Sequence, residues 1–438
     1  MSMLLNAVSG LNAANAGLIV AGQNTANAAV KGYSRQTIYL ETASGGLNGV
    51  KVAKVDRIVN GFLNDDIWRT TSELNHYEGF QTYLGYHEEL LGTESLNLNN
   101  SVAEIKAALN AALATPESPA YRQQVISSAD AMVQKIAQLN GALAGQREKL
   151  GKELSDLSDN VTSLSSQIAE LNGKISKAKA LGEPTSQLED ARELITSELS
   201  SYIGVDILNQ ADGTVNITAK NGAPLVIGSK SSTLNVTGTD VTATFNNQDF
   251  PLTGAVGGRI GGLLSVDSEI LDTTRDSLNN LITTIADNVN NALADGFDLD
   301  GNAGVPLFFY NPADPLGTFN ITDITASELA FRGNNGGVPA GGKGDNGNVA
   351  NIIDALGGST DGYDVLIGDL AIKSKQVQSS IKTARILNDN AIAARDNLSG
   401  VNLDEEAASV MFYQQLYDAN ARVISTADQM FKTLINMF

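Results

Sequence analysis

From Ala129 to Ala178 the chain places an apolar residue at every seventh position: Ala129, Ile136, Leu143, Leu150, Leu157, Leu164, Leu171 and Ala178. A second row of Val133, Leu154, Val161, Ile168 and Ile175 runs beside it, broken by Asn140 and Arg147. A seven-residue repeat sustained this long specifies a coiled-coil-like helix. Over residues 127–180 that helix would be on the order of 75 Å long. It must stop at Gly182-Glu183-Pro184, because proline cannot continue a helix. Leu188, Ala191, Leu194, Ile195, Leu199 and Tyr202 then predict a shorter return helix, paired antiparallel with the end of the long one. These inner stripes read as packing within the chain. The framework is therefore a helical rod.

Both chain ends carry the same period. Leu4, Leu11 and Leu18 are interleaved by Val8, Asn15 and Gly22, and Leu403, Val410, Tyr417, Ile424, Phe431 and Phe438 recur without a break. Asn402 or Asp404 can cap the last helix, with Asp404, Glu405 and Glu406 on its positive end. Helices with polar interruptions such as Asn15, Gly22, Gln414 and Asp428 are marginal alone in water. Residues 1–30 and 403–438 are accordingly expected to be mobile in the free chain and to order when several such helices pack together. The expected assembly interface is Leu4, Val8, Leu11, Leu18, Leu403, Val410, Tyr417, Ile424, Phe431 and Phe438.

Between these ends, residues 34–60 read as extended, with Gln36, Ile38 and Leu40 in alternation and a break at Gly45-Gly46. Helix returns from Gly61 to about Leu91. Residues 205–256 alternate Val, Ile and Thr between the turn pairs Asp212-Gly213, Asn221-Gly222 and Asn246-Asn247, which predicts five or six short antiparallel strands. Gly257-Gly258 closes that module, and helix resumes from Ile260 to about Ala294. Residues 297–345 are rich in Gly, Asn and Pro, with extended pieces near 306–310 and 318–322. A further helix runs from Asn348 or Tyr363 to Leu398. The expected fold is mainly α, a long coiled-coil-like rod with an inserted small β domain and paired N- and C-terminal helices. Its parts are a terminal assembly domain (1–35 and 401–438), a helical rod domain with irregular segments (36–204 and 259–400) and an outer antiparallel β domain (205–258).

Charge and composition remove whole classes of function. The net charge of −20, from 49 acidic and 29 basic residues, leaves no basic stripe for nucleic acid or for anionic membranes. With no cysteine, disulfides, thiolate zinc and a thiol nucleophile are impossible. Asn6, Ser9, Asn12, Asn15, Gln23 and Asn24 interrupt the uncharged first thirty residues, so neither a cleavable signal nor a membrane span is expected there. Export, if it occurs, needs another route.

Three local patterns are candidates for chemistry. His76 and His87 have no metal-motif context and read as surface residues of a helix. Asp298-Leu299-Asp300-Gly301-Asn302 opens like a calcium loop, but Ala303 and Phe309 stand where glycine and glutamate are required, so a polar turn is expected. Gly337 to Gly342-Lys343 resembles most of a phosphate-binding loop, yet Gly344 replaces the magnesium-binding hydroxyl and no strand leads in. No metal and no cofactor are expected.

Ser9-Gly10-Leu11-Asn12-Ala13-Ala14, followed by the stretch from Asn24 to Gln36 ending Gly32-Tyr33-Ser34-Arg35-Gln36, resembles the N-terminal signature of bacterial axial flagellar proteins. The ending is most similar to that of the hook-associated protein 1 family, which joins hook to filament. The stretches from Ser399 to Ala407 and from Tyr413 to Ala421 resemble that family's C-terminal signature. Gly257 to Leu264 and Gly296 to Gly301 are similar to its internal motifs, while residues 205–256 carry no resemblance. Lys31 stands where the family usually has proline before Gly32-Tyr33. The signature-turn residues are Asn27, Gly32, Tyr33, Arg35 and Gln36.

The resemblance implies a structural adapter with no catalytic site, exported unfolded through the flagellar apparatus without cleavage to an extracellular position at the hook–filament junction. It implies paired terminal helices lining a channel, rods packed on their neighbours and a β domain pointing outward. The implied partners are other copies in a helical ring, hook protein below, the second junction protein above and an export chaperone on the C-terminal helix, with no nucleic acid and no membrane. Another axial protein of hook or rod, or a secreted surface adhesin using the β domain and residues 333–347, is the alternative reading. A secreted hydrolase is disfavoured by the missing catalytic constellations.

Overall fold

The computed structural model describes residues 2–42 and 49–437. Phe438 and the expected break at Gly45-Gly46 lie outside the described residues. Helix α1 (Ser2–Asn27) leads into a two-stranded antiparallel ribbon, β1 (Gln36–Thr42) and β2 (Val50–Arg57). Then follow α2 (Gly61–Gly92), α3 (Leu98–Ala112), the 63-residue α4 (Pro119–Leu181) and α5 (Ser186–Tyr202). The β module contains β3 (Val205–Asn209), β4 (Val215–Ala219), β5 (Pro224–Ile227), β6 (Lys230–Ser231), β7 (Thr233–Thr237), β8 (Asp240–Phe245) and β9 (Gln248–Leu252). The chain continues through α6 (Gly258–Val266), one π-turn (Asp267–Leu271) and α7 (Asp272–Ala294). A small ribbon of β10 (Phe308–Phe309) and β11 (Asn320–Ile321), with α8 (Pro315–Thr318) between them, precedes α9 (Gly347–Ala355), α10 (Asp361–Ser399) and α11 (Leu403–Ile435).

Helix α4 is longer than the heptads alone require. Pro119 opens it where a missing N–H costs nothing, and at roughly 1.5 Å per residue it spans about 95 Å. Gly182 closes it in the left-handed region (φ 75°), a conformation that costs a β-carbon-bearing residue more. The apolar rows do not meet one partner helix. Ile136, Leu150, Leu154, Val161 and Ile168 are buried in a single core shared with α2, α3, α5, α6 and the β module. Arg147, which interrupts the second row, ion-pairs with Asp267 (2.8 Å) and Asp272 (2.6 Å) at the π-turn. The first turn of α4 holds the irregular region in place. Fully buried Arg122 donates to the carbonyls of Pro116, Ala326 and Leu329 and lies 4.5 Å over the Phe331 ring. Burial pulls its pKa down to about 10.

The β module has seven strands, not five or six, in a four-stranded sheet (β3-β4-β5-β6) and a three-stranded sheet (β7-β8-β9). The three expected turn pairs each hold a left-handed residue, namely Gly213, Gly222 and both Asn246 and Asn247. The extra strands come from turns at Gly228 and Gly238, which have no adjacent Asn or Asp before them to mark them. The module lies against α4. Asn172, fully buried on α4, donates through Nδ2 to the carbonyls of Val215 (2.8 Å) and Gly228 (2.7 Å). Its Oδ1 accepts from the Val215 N–H (3.1 Å) and from Arg192 (2.9 Å), whose guanidinium also reaches the Gly213 carbonyl (2.8 Å).

His87 is not a surface residue, as the sequence suggests, but is fully buried and bridges three helices, with Nδ1 3.1 Å from Gln146 Oε1 and Nε2 2.8 Å from Thr274 Oγ1. Burial lowers its pKa, which the Gln146 hydrogen bond only partly offsets. The folded chain therefore keeps the ring neutral, whereas the unfolded chain takes up a proton near the ordinary 6.5. The unfolded state then binds more protons, so stability falls as pH drops through that value. His87→Gln should show a smaller loss of Tm between about pH 7.5 and about pH 5 than the parent chain, across the range where a free histidine charges. An equal loss would mean that His87 does not contribute to acid lability.

Candidate assembly interface

The terminal helices pack antiparallel in one register. Gly10 faces Asn420, Gly17 faces Tyr413 and Asn24 hydrogen-bonds Glu406 (3.1 Å), so steps of seven on α1 match steps of seven on α11. A β-carbon on Gly17 would lie 2.5 Å from the Tyr413 ring, and one on Gly10 would lie 2.6 Å from the Asn420 amide oxygen. Glycine at these positions is what allows the backbones to come so close. The buried stripe of α1 is Ala7, Ala13, Ala14, Val20, Ala21 and Asn24.

The intramolecular seam therefore runs along the small residues, and the leucine row stands beside it. Leu4, Val8, Leu403, Tyr417 and Phe431 are exposed, Phe431 to 63%. Leu11, Leu18, Val410 and Ile424 are half-buried at the margins. On α11 only Glu406 is buried. Two apolar patches stay uncovered, Met411-Phe412-Leu416-Tyr417 and Met430-Phe431-Leu434-Ile435. By length and composition Met3–Asn27 is also long and apolar enough to cross a membrane, contrary to the sequence expectation. Small and aliphatic residues outweigh the asparagines that break it, and here the helix packs on α11 and the β1–β2 ribbon.

The signature turn ties this arm together. Asn24 sits at its centre, where Oδ1 accepts from the Gln36 N–H (2.9 Å) and the Tyr33 hydroxyl (2.8 Å) while Nδ2 donates to the Gln36 carbonyl (2.9 Å). Arg35 ion-pairs with Glu405 (2.5 Å) and Glu406 (2.8 Å), and its backbone N–H reaches the Ser399 carbonyl (2.9 Å). Gly32 takes the left-handed conformation (φ 84°) against Leu194. Asn27 only closes the helix, donating to the Gln23 carbonyl. Burial, then the charges of Asp190 and Glu406, push the Tyr33 hydroxyl up to about 12, so it stays a donor. Sequence reasoning missed Gly10, Gly17, Asn24, Glu406, Tyr413 and Asn420 as a set. Their common spacing of seven was present, but it lies in polar and small residues.

The arm meets the rod through an ionic joint. Arg57, at the end of β2, contacts Glu189 (3.0 Å), Asp190 (2.6 Å) and Glu193 (2.7 Å) of α5, with 7% of its side chain exposed. Burial alone would lower its pKa, but Glu193 and Asp190 outweigh that, and the net shift is upward. Clefts of about 560 and 530 Å³ flank the joint, and Lys31, Gly32, Arg395 and Asp396 line both. Since the chain lacks cysteine, spin labels at Gln415→Cys and Glu89→Cys can report the arm–rod distance. Arg57→Ala should broaden that distribution, because three carboxylates then repel where one cation held them. An unchanged width would show that the joint is held by other contacts.

The remaining sequence patterns are filled by their own chains. Asp298 accepts from the N–H groups of Asp300 and Asn302 (both 2.8 Å) and from Asn302 Nδ2 (2.9 Å), as an Asx turn does. Asp345 accepts from the N–H groups of Gly333 and Gly347 (both 3.0 Å) and so ties together the two ends of the glycine-rich loop. Among the described residues no group of three or more His, Asp or Glu side chains is placed to hold a metal.

Comparison with known proteins agrees with this geometry. Residues 84–308, just over half of the chain, match the flagellar hook-associated protein FlgK helical domain, and residues 395–437 match the flagellar basal body rod FlgEFG protein C-terminal family. Flagellar hook-associated protein 1 of Escherichia coli K12 is 27% identical, with all of both chains covered. The protein of that name from Bacillus subtilis 168 is 23% identical over 97% of this chain and 96% of its own. A solved structure of the flagellar hook junction protein FlgK from Burkholderia pseudomallei superposes with a TM-score of 0.51 at 23% identity, over 56% of this chain and 47% of that one, and supports the fold. From the rod outward to the helical ends, the chain belongs to the flagellar hook-associated protein FlgK family.

Proposed function

We propose that this chain is a structural adapter of the bacterial flagellum, assembled as a ring at the boundary between hook and filament and required for filament growth. The observation that carries the reading is α11, a 33-residue amphipathic helix in which only Glu406 is buried by the chain's own fold. Such a helix gains most of its stability from packing that this single chain does not provide. Leu4, Val8, Leu403, Tyr417 and Phe431 supply apolar surface for neighbouring copies, and Leu11, Leu18, Val410 and Ile424 extend it along the arm. Marginal ends also guard against premature polymerisation, since the ordering cost is recovered only where a lattice already exists.

In this reading the chain works by assembly and not by catalysis. Its partners are further copies of itself, hook protein on one side and the second junction protein on the other. It leaves the cell unfolded through the flagellar export apparatus, with a chaperone covering the apolar face of α11 beforehand. The division into terminal arm, rod and β module fits this use, because the rod and module share one core while the arm hangs on an ionic joint. Immunogold labelling of isolated flagella tests the proposal. Label confined to the hook–filament boundary is expected, and label spread along the filament or absent from flagella would refute it.

A further inference from the structure

We propose that Asn335 is a site of spontaneous covalent modification, deamidating through the Gly336 amide to aspartate and isoaspartate while the chain stays folded. The inference stands apart from the junction reading. Asparagine followed by glycine is chemically labile, because glycine has no side chain to shield its amide nitrogen from the neighbouring carboxamide. The chain has seven such pairs, starting at Asn48, Asn60, Asn140, Asn172, Asn221, Asn335 and Asn346. Asn48 lies outside the described residues. The fold restrains every other pair except that of Asn335. Asn60 caps α2, accepting from the Phe62 N–H (3.0 Å). Asn140 and Gly141 lie inside α4, where the helix engages the glycine N–H. Asn172 is buried in its network against the β module. Asn221 donates to the Pro251 carbonyl (3.0 Å), and the Gly222 N–H is bound to the Ala219 carbonyl (2.8 Å). Asn346 donates to the Leu113 carbonyl (2.8 Å), and the Gly347 N–H is bound to Asp345.

Asn335 is open on every count. It sits at the tip of a small hairpin whose turn residues Gly336 and Gly337 are left-handed (φ 66° and 92°). Its own N–H reaches the Val338 carbonyl (2.8 Å), and the Asn334 side chain accepts from the Gly337 N–H (2.8 Å). The Asn335 carboxamide and the Gly336 N–H have no hydrogen-bond partner among the described residues. Both residues are exposed, and a β-carbon on Gly336 would meet nothing within 4 Å. The reacting groups are therefore free to turn toward each other. The Gly336 nitrogen bonds to Asn335 Cγ and gives up its proton to solvent base, while the Cγ–Nδ2 bond breaks and releases ammonia. The product is a cyclic imide. Water opens it at either carbonyl, so water enters and ammonia leaves with no change of oxidation state. Aspartate adds a negative charge to the turn. Isoaspartate also carries the main chain through Cβ, which lengthens the turn between Asn335 and Val338.

The test incubates the folded full-length chain in water enriched in heavy oxygen, so that only deamidation during the incubation is marked, and maps the label by peptide mass spectrometry. Asn335 should take up label at least about tenfold faster than any other described Asn-Gly pair, since those react only through local opening. Its rate should rise in proportion to hydroxide, and the labelled peptide should be a substrate for an isoaspartyl methyltransferase. Another described pair labelled as fast as Asn335, or no label at Asn335, would overturn the proposal. Asn335→Gln should remove the signal, because the ring it would form is larger and closes far more slowly. Gly336→Ala should slow it, and an unchanged rate there would refute attack by that nitrogen. In chain unfolded by guanidinium the rates at all seven pairs should converge. A preference for Asn335 that persists undiminished after unfolding would show that the fold does not select it.

Discussion

Gly17→Leu should separate the terminal helices and leave cells with bare hooks, while the rod keeps its thermal transition. Even the first added carbon would sit 2.5 Å from the Tyr413 ring, and leucine adds three more. Either the ring leaves the seam or the helices move apart, and in both cases the step-of-seven register with Asn420 and Glu406 is disturbed. Overpacking of this kind costs about 1–3 kcal/mol, a roughly 5- to 150-fold shift toward separated helices. The arm has little to set against that cost, because only Glu406 of α11 is buried. Limited proteolysis should then release α11 well before any cut in α4. Circular dichroism should show the rod intact. Normal filaments on Gly17→Leu cells would mean that the assembled arm does not use this pairing.

The second large effect is expected at Asn172. Leucine there would strip partners from the Val215 N–H, from two carbonyls and from the Arg192 guanidinium, all within one buried network. Orphaned buried polar groups cost about 1–3 kcal/mol each, and a buried charge left short of partners costs more. Asn172→Leu should therefore destabilise the module's docking by about 3–5 kcal/mol. Hydrogen exchange of β4 and β5 amides should rise accordingly. Adding Arg192→Met should recover part of the loss, because apolar replacement of both partners removes the stranded charge. A single-variant cost below about 1 kcal/mol would show that apolar packing alone holds the module.

Sequence periodicity located the long helices because long apolar repeats report burial directly, but it passed over the 15-residue α3, which is too short to show a sustained repeat. Gly61 to Leu91 and the Gly182 stop lie where side-chain chemistry leaves one option, and of the two offered caps Asn402 takes the role. It located the terminal seam poorly, because the rule counts leucines, whereas the two helices come closest at Gly10 and Gly17. The leucine row was visible in the sequence, but its outward direction followed only once α11 was placed. The docking of the β module was hidden for a similar reason. It depends on Asn172 and Arg192, two polar residues on helices that periodicity reads as ordinary surface, and on an encounter 43 residues along the chain. Arg57 and its three acids were equally invisible, since a salt bridge between β2 and α5 leaves no pattern in either segment. Tyr33, Arg35 and Gln36 were legible as a signature through family resemblance, and the structure supplies the physical cause, their shared bonds to Asn24 and Glu406.

A junction adapter is a requirement for growth, so filaments should not be built on hooks lacking this chain. Electron microscopy of a deletion strain tests it directly. Hooks of normal length without filaments, with flagellin shed into the medium and filaments restored by the parent gene but not by Gly17→Leu, is the predicted result. Complete filaments on the deletion strain would contradict the account.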